Sequence, residues 1–292
     1  MEKRTIERVV APPSPHFVGN GFRVHHFIPG PYGLSMQRMD PFIMLDYNSK
    51  FHFAPSEKPR GVGLHPHRGF ETVTIAYKGK VAHHDSGGGG GVIGEGDVQW
   101  MTAASGVLHK EYHEAGFSRA GGDFHMVQLW VNLPAKYKMH SPKYQDILHA
   151  DIPRYILSEQ AGLIEVIAGS YNNVEGKAST FSPVQLMNAR LEPGGRAEFS
   201  FPDTYNTALL VIEGNIRVND TQDAATDHFV LLGNNASDFS IEAKEKSTVL
   251  VLSGAPLHEP IAAHGPFVMN TKQEIIQAFE DFNAGKFGIL ED

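Results

Sequence analysis

The chain has 292 residues, of which 41% are hydrophobic and 20% are charged, which is typical of a soluble globular protein rather than a disordered one. It contains no cysteine, which excludes disulfides, thiolate-bound zinc, iron–sulfur clusters and cysteine nucleophiles. The formal net charge is -8, no block of lysine and arginine occurs, and no apolar run approaches the roughly 20 residues of a membrane span. Nucleic acids and membranes are therefore not expected partners. The first residues do not resemble a signal peptide, and we expect a cytoplasmic protein.

Short apolar or alternating segments dominate the chain, and clusters of glycine, proline, asparagine or aspartate separate them. Many short strands at this spacing are typical of an all-β sandwich or barrel. The predicted strands cover residues 72–77, 98–101, 124–133, 163–168, 184–191, 208–218, 229–232 and 247–252.

The stretch 136–153 is polar, interrupted by prolines and poor in strand pattern. We interpret it as a linker between two β domains of similar size, which cover residues 1–135 and 154–292. A weak internal echo supports a duplication, because residues 77–81 resemble residues 212–216 and both segments follow an alternating strand.

One helix is predicted near the C-terminus, at about residues 271–284. Thr271 and Glu274 have the spacing of a capping box, and Gly285 is well placed to end the helix. An apolar stripe predicts that this helix packs against a barrel; it is formed by Ile275, Ile276, Phe279 and Phe282.

Two short motifs indicate a metal site. His65 and His67 form one pair in an i, i+2 relation, and His109 and Glu111 form a second. Residues i and i+2 of a strand point to the same face. Two such strands facing each other across a barrel would bring three imidazoles and one carboxylate to a single point, and we interpret this set as a metal site.

The residues around these motifs resemble the cupin pattern. The first cupin motif carries His-x-His followed by Glu and Gly, which are present here as His65, His67, Glu71 and Gly79. The second carries Gly-x-x-His, which is present at residues 106–109. Three features depart from the general pattern: Gly79 lies one residue late, Ala104 replaces a proline, and Glu111 follows the histidine at i+2.

Those departures are similar to the pirin family of bicupins, as are the blocks at 65–73, 98–103, 256–260 and 265–271. The resemblance covers nearly the whole chain. It implies an all-β bicupin fold with two jelly-roll β-barrel domains and a C-terminal α-helix. The N-terminal domain would carry the metal. The C-terminal domain would be metal-free, because the segment 201–206 lies where His-x-His would fall and has no histidine.

The resemblance also implies that His65, His67, His109 and Glu111 bind one iron. Three neutral imidazoles and a carboxylate suit Fe(II) and leave positions of an octahedral shell open for a substrate. Zinc, manganese, nickel or copper would fit the same ligands, since affinity alone does not select iron.

Several other residues have more than one interpretation. In many cupins the glutamate at the position of Glu71 is a ligand, whereas pirins use the later glutamate, so Glu71 would either orient an imidazole or bind the metal itself. His83 and His84 point to opposite faces of a strand and cannot chelate together. His113 shares the face of His109 and Glu111, and we interpret it as a core histidine or a residue lining the pocket.

Two functions follow from the resemblance. Pirins are similar to quercetin 2,3-dioxygenases, which implies a metal-dependent dioxygenase that cleaves a flavonol such as quercetin with O2 and releases carbon monoxide. In that scheme Glu111 is the general base that accepts the proton of the 3-hydroxyl group. The alternative is a redox- or metal-responsive regulatory protein that binds a transcription factor or a metabolic enzyme. The sequence identifies no such partner.

Overall fold

β-Strands make up most of the computed structural model, which describes residues 2–290. Strands account for 52% and helices for 11%, so the predicted all-β class is confirmed. The strands of the first half are β1 (Ile6–Val10), β2 (His16–Val18), β3 (Phe22–Ile28), β4 (Phe42–Phe53), β5 (Gly61–His67), β6 (Phe70–Lys78), β7 (Val81–Asp85), β8 (Gly90–Ile93), β9 (Val98–Thr102), β10 (Val107–His113), β11 (Gly122–Asn132) and β12 (Lys143–Ile147).

The second half continues the same style. Its strands are β13 (Arg154–Ile156), β14 (Gly162–Ala168), β15 (Ser170–Tyr171), β16 (Val174–Glu175), β17 (Val184–Leu191), β18 (Arg196–Ser200), β19 (Asn206–Glu213), β20 (Asn215–Val218), β21 (Gln222–Ala225), β22 (Phe229–Leu232), β23 (Asp238–Ala243), β24 (Ser247–Gly254), β25 (Ala262–His264) and β26 (Phe267–Met269). The helices are α1 (Met36–Met39), α2 (Ala115–Ala120) and α3 (Lys272–Asn283), with short 3-10 turns at Ala135–Tyr137, His149–Asp151 and Ser158–Gln160. None of the helices within residues 2–290 is long and apolar enough to cross a membrane.

Each half forms a barrel from one seven-stranded and one four-stranded antiparallel sheet. The N-terminal barrel combines the order β12-β9-β6-β11-β4-β3-β2 with β5-β10-β7-β8. The C-terminal barrel combines β1-β22-β19-β24-β17-β14-β13 with β18-β23-β20-β21. Apolar side chains from both sheets pack inside each barrel. The predicted bicupin architecture is therefore confirmed.

The two seven-stranded sheets pack against each other. One cluster of buried side chains joins Tyr47, Val73 and Val127 of the first sheet to Leu186 and Leu210 of the second. Both faces of these sheets are thus covered, which explains why strands such as β6 are buried along almost their whole length instead of alternating with solvent. Alternate residues of these strands face either the barrel interior or the interface between the barrels.

Strand β1 and the C-terminal segment each contact the half of the molecule that lies farther along or back in the chain. Strand β1 pairs with β22 of the C-terminal barrel, and the segment that ends in α3 packs on the N-terminal barrel, where Phe267 bridges to Arg68. Strand pairing therefore crosses the predicted boundary between the two domains. The division into residues 1–135 and 154–292 stays a prediction. The expected linker at 136–153 is not free of strands, because β12 lies inside it and pairs with β9.

Two local expectations were wrong. The predicted strand at 208–218 is a hairpin, because Gly214 adopts a left-handed φ of 88° that ends β19 before β20 begins. The helix at 271–284 is present, but its buried residues are Ile275, Ala278 and Asp281, whereas Ile276 is 50% exposed. The helix packs on the barrel with a face rotated from the one that the apolar stripe predicted.

Candidate metal centre

Neighbouring strands bring the predicted ligands together. In the four-stranded sheet of the N-terminal barrel, β5 pairs with β10 so that His65 lies directly opposite His109. A register shift between His109 and Glu111 places Glu111 opposite Val62. The sequence predicted two strands facing each other across the barrel. The structure instead has hydrogen-bonded neighbours in one sheet, where directly opposed side chains lie about 5 Å apart at Cβ.

Three of the four predicted ligands form a compact group. Ligand atoms of His65, His109 and Glu111 all lie within 4.8 Å of one another, and His109 Nε2 is 3.3 Å from Glu111 Oε1. His67 lies outside this group of three. Its ring centroid is nevertheless 4.6 Å from that of His65 and 5.7 Å from that of His109. The assignment of all four as ligands of one ion stays a prediction.

Several buried polar atoms of this group have no hydrogen-bond partner, and a bound metal ion would satisfy them. His109 is fully buried, and both of its ring nitrogens are without a hydrogen bond among residues 2–290. The same holds for His67 Nδ1 and Glu111 Oε1. Leaving a buried polar atom unpaired costs about 1–3 kcal/mol. Nitrogen and carboxylate oxygen donors of this kind fit a divalent transition metal, which would satisfy these atoms at once.

The electrostatics of His65, His67 and Glu111 favour the protonation states that metal binding needs. Burial lowers the pKa of His65 and holds the pKa of His67 well below its usual value. Burial works against the charge of Glu111, but the adjacent His109 outweighs it and the pKa of Glu111 is lowered. His65 Nδ1 lies 2.7 Å from Gly63 O, which fixes Nδ1 as the donor and leaves Nε2 free to bind. Neutral imidazoles and an ionised carboxylate are the forms that bind metals.

An apolar cavity of about 360 Å³ lies against this group. His65, His67 and Glu111 line it from the four-stranded sheet. The seven-stranded sheet supplies larger side chains, which include Phe22, Met44, Met126 and Trp130. Trp130 stacks on Phe70 with the ring centroids 4.0 Å apart, so its ring is held in place. The volume lies in the range of about 300–1,000 Å³ that is usual for small-molecule sites.

The structure places Glu71 away from the cavity. It pairs with Val131 and Thr102 in the seven-stranded sheet. Along β6 its side chain points to the face opposite to that of Thr72 and Thr74. Thr74 Oγ1 donates to Gln128 Oε1 on the cavity side, so Glu71 lies on the opposite face of β6. Thr102 Oγ1 donates to Glu71 Oε1 over 2.7 Å. Neither interpretation of Glu71 as a ligand or as a partner of an imidazole fits this position.

His83 is a site residue that the sequence did not reveal. It is fully buried, pairs with Glu111 between β7 and β10, and has its ring centroid 6.5 Å from that of His109. Its Nε2 lies 2.7 Å from the hydroxyl oxygen of Tyr144. The signal was present only in the pairing register, because the adjacent His84 is exposed and the pair looks unremarkable in sequence. His113 is a core histidine, whose Nε2 lies 2.8 Å from Gly21 O.

The interior of the C-terminal barrel differs in character. In the segment 201–206, which lacks the His-x-His motif, Phe201 packs with Phe199 and Phe239 in an apolar cluster. The metal-free nature of this barrel stays a prediction.

Comparison with known proteins supports the cupin architecture in both halves. Residues 21–131 match the family model described as "Pirin", and residues 186–288 match the one described as "Pirin C-terminal cupin domain". A Pseudomonas aeruginosa protein named "Putative quercetin 2,3-dioxygenase" is 48% identical over 272 residues, which cover 93% of this chain and 94% of the relative. A "Pirin-like protein" of Solanum lycopersicum is 38% identical over 92% of this chain and 88% of its own length.

A solved structure shows the same likeness in three dimensions. The crystal structure titled quercetin 2,3-dioxygenase from Acinetobacter baumannii superimposes with a TM-score of 0.93 at 46% identity. The match covers 99% of this chain and 100% of that one. Two cupin barrels, a His/Glu group suited to one metal and these similarities over nearly the full length lead to one conclusion: the chain belongs to the pirin family.

Proposed function

We propose that this protein is a metal-dependent dioxygenase, with Fe(II) as its metal, that cleaves a flavonol such as quercetin with O2. The observation that carries the proposal is the His/Glu group at the wall of an apolar cavity of about 360 Å³. Relatives named as quercetin dioxygenases support the substrate class. The apolar cavity beside the His/Glu group favours the enzyme over the regulatory protein, because it offers a small aromatic molecule a place next to the metal ligands. The cytoplasmic location stays a prediction.

His65, His67, His109 and Glu111 would hold the ion, and zinc, manganese, nickel or copper would fit the same donors. When bound, the metal would supply Lewis acidity that lowers the pKa of the substrate hydroxyl group, and the substrate itself is oxidised by O2, both of whose oxygen atoms enter the products. The residues of the chain do the remaining work. Phe22 and Trp130 contact the flat rings and exclude water, which strengthens the electrostatic interactions within the cavity.

Glu111 has a further role in this proposal as the general base. Its carboxylate lines the cavity, and its lowered pKa keeps it ionised and able to accept a proton. The proton would move from the 3-hydroxyl group of the flavonol to a carboxylate oxygen of Glu111. General-base assistance of this kind contributes about 100- to 10,000-fold to a rate.

The test combines metal content with turnover. The protein is loaded with Fe(II) without oxygen, its metal is measured by elemental analysis, and quercetin loss and carbon monoxide release are followed after O2 is added. We expect one ion per chain and turnover in the wild type. His109→Ala should lose the ion and the activity, because it removes a fully buried donor.

Two further variants sharpen the assignment. Glu111→Gln should lower kcat by about 100-fold or more even in samples that retain the metal. His84→Ala is the matched control, since His84 lies on the neighbouring strand β7 but is exposed, and it should behave like the wild type. Full metal content and normal turnover in His109→Ala would refute the proposed site.

A further inference from the structure

Asn48 is a buried amide without a partner in the wall of the same cavity. Its side chain is 2% exposed, it lines the cavity, and neither Oδ1 nor Nδ2 has a hydrogen bond within the described part of the chain. It lies on β4, on the same face as Met44 and Asp46. In the sheet it pairs with Met126, another residue of the cavity wall.

The other two polar residues that the seven-stranded sheet contributes to the cavity each have a hydrogen-bond partner within the protein. Asp46 Oδ1 lies 2.5 Å from Nδ1 of His26. Gln128 Oε1 accepts a hydrogen bond from Thr74 Oγ1 over 2.7 Å. Asn48 therefore differs from its neighbours, since its amide offers an unused acceptor and two unused donors to whatever occupies the cavity.

A structural role does not explain this residue. Asn188 is similarly buried, but its Oδ1 accepts a hydrogen bond from the Tyr77 hydroxyl over 2.7 Å, so that amide stabilises the fold. Asn48 makes no such bond, and Phe22, Val24 and Met126, which line the cavity with it, are apolar. A leucine of similar volume would fill the same space without the cost of burying an unpaired amide. An unpaired amide at a ligand cavity indicates that the ligand is its partner.

We propose that Asn48 is a specificity-determining residue that binds a hydroxyl or carbonyl group on the edge of the substrate remote from the metal ligands. This inference rests on the proposed function of the cavity. Asn48 belongs to the seven-stranded sheet, whereas His65, His67 and Glu111 belong to the four-stranded sheet, so the two polar groups lie on different walls. Phe22, Met126 and Trp130 line the same cavity.

This arrangement selects a class of substrate. A flat aromatic molecule that reaches across the cavity presents one edge to the His/Glu group and a second edge to Asn48. A hydroxyl group can donate to Oδ1 and accept from Nδ2, whereas an unsubstituted ring leaves both atoms unpaired. The preferred substrate is therefore a planar aromatic with polar groups on both edges, and an aromatic with an apolar second edge is rejected.

The test compares two ligands that share the metal-binding edge. Quercetin and 3-hydroxyflavone both carry the 3-hydroxy-4-ketone, but only quercetin carries hydroxyl groups on the other ring positions. Binding to the metal-loaded protein is measured by calorimetry without oxygen. We expect the wild type to prefer quercetin and Asn48→Leu to lose about 10-fold or more in affinity for quercetin, with less than about 3-fold change for 3-hydroxyflavone.

Met126→Leu is the matched control in the cavity wall, because it changes packing without changing hydrogen bonding. It should alter the affinity for both ligands by the same factor. Three outcomes would overturn the inference. Asn48→Leu could lose affinity for both ligands equally, or its affinity for quercetin could be unchanged. The wild type could also bind neither flavonol.

The melting temperature provides a second readout that does not depend on the ligand. Ligand-free Asn48→Leu should melt at the same temperature as the wild type or higher, whereas Asn188→Leu should melt at a lower temperature, because it breaks a buried hydrogen bond. A loss in Asn48→Leu as large as that in Asn188→Leu would assign Asn48 a structural role and contradict the inference.

Turnover with O2 is measured separately, so the two proposals can fail independently. Selective binding through Asn48 without quercetin consumption would refute the dioxygenase and leave the specificity residue in place. Turnover with equal affinity of wild type and Asn48→Leu for quercetin would do the reverse.

Discussion

Side-chain direction along a strand decides the role of each polar residue around the metal centre. Glu71 and Thr72 are neighbours in β6, yet only Thr72 faces the barrel interior. Glu71 is 1% exposed and lies on the face that packs against the other barrel. Burial raises the pKa of Glu71 to about 7, so its carboxyl group is largely protonated in mildly acidic solution.

The raised pKa of Glu71 predicts a pH-dependent stability. Below about pH 4.5 the carboxyl group of Glu71 is protonated in the folded and the unfolded chain, and its contribution to the free energy of unfolding is fully present. Between about pH 4.5 and 7 the unfolded chain ionises first, so the free energy of unfolding falls as the pH rises, by up to about 3 kcal/mol. Above about pH 7 the loss is complete.

Urea unfolding of the wild type and Glu71→Gln at pH 5 and pH 8 tests this prediction. Other groups titrate in both proteins, so the informative quantity is the difference between the two free energies of unfolding. The wild type should lose more stability than the variant on going to pH 8. A difference that is the same at both pH values would contradict the prediction.

At the scale of single elements, local chemistry sets the ends of α3 more firmly than it sets the buried face. Thr271 Oγ1 accepts a hydrogen bond from Glu274 N, and Glu274 Oε2 accepts one from Thr271 N, which completes the predicted capping box. The face that the helix buries depends on where the barrel surface lies. That surface selects Ile275 and Ala278 and leaves Ile276 half exposed.

Removing the cap should weaken the helix. We expect Thr271→Ala to lower the free energy of unfolding by about 1 kcal/mol, because a backbone N–H at the start of the helix loses its partner. Thr271→Ser keeps the hydroxyl group and should cost much less. Urea unfolding measures both, and an equal loss in the two variants would show that the cap is not the cause.

At the scale of the whole molecule, contacts of the C-terminal segment with the N-terminal barrel add to the packing between the two seven-stranded sheets. Arg68 follows the predicted ligand His67 and is 4% exposed. Its Nη1 donates to Asp281 Oδ2 of α3 over 2.8 Å, its Nε donates to Ser105 O, and its guanidinium lies 4.6 Å from the ring centroid of Phe287. The C-terminal segment is thereby fixed to the strand that carries the metal motif.

Breaking this ion pair should release the C-terminal helix. Asp281→Asn leaves the Arg68 charge buried with a weaker partner, and we expect a loss of about 3 kcal/mol in the free energy of unfolding. The double variant Arg68→Met/Asp281→Leu removes both charges and should recover part of that loss. Limited proteolysis should cleave the segment around α3 first in Asp281→Asn. Unchanged stability and an unchanged cleavage pattern would contradict this role of the pair.

The sequence by itself determined the all-β class, the positions of seven strands, the capped helix and the two motifs at residues 65–67 and 109–111, because these depend on local periodicity, turn residues and short motifs, and its resemblance to the pirin family implied the bicupin fold. Only the tertiary structure decided that β5 and β10 are neighbours in one sheet, that Glu71 faces the other barrel, and that His83 and Asn48 lie beside the site. The physical reason is that strand pairing and sheet packing join residues far apart in the chain. A face that is covered by another barrel looks the same in sequence as one that encloses a ligand cavity.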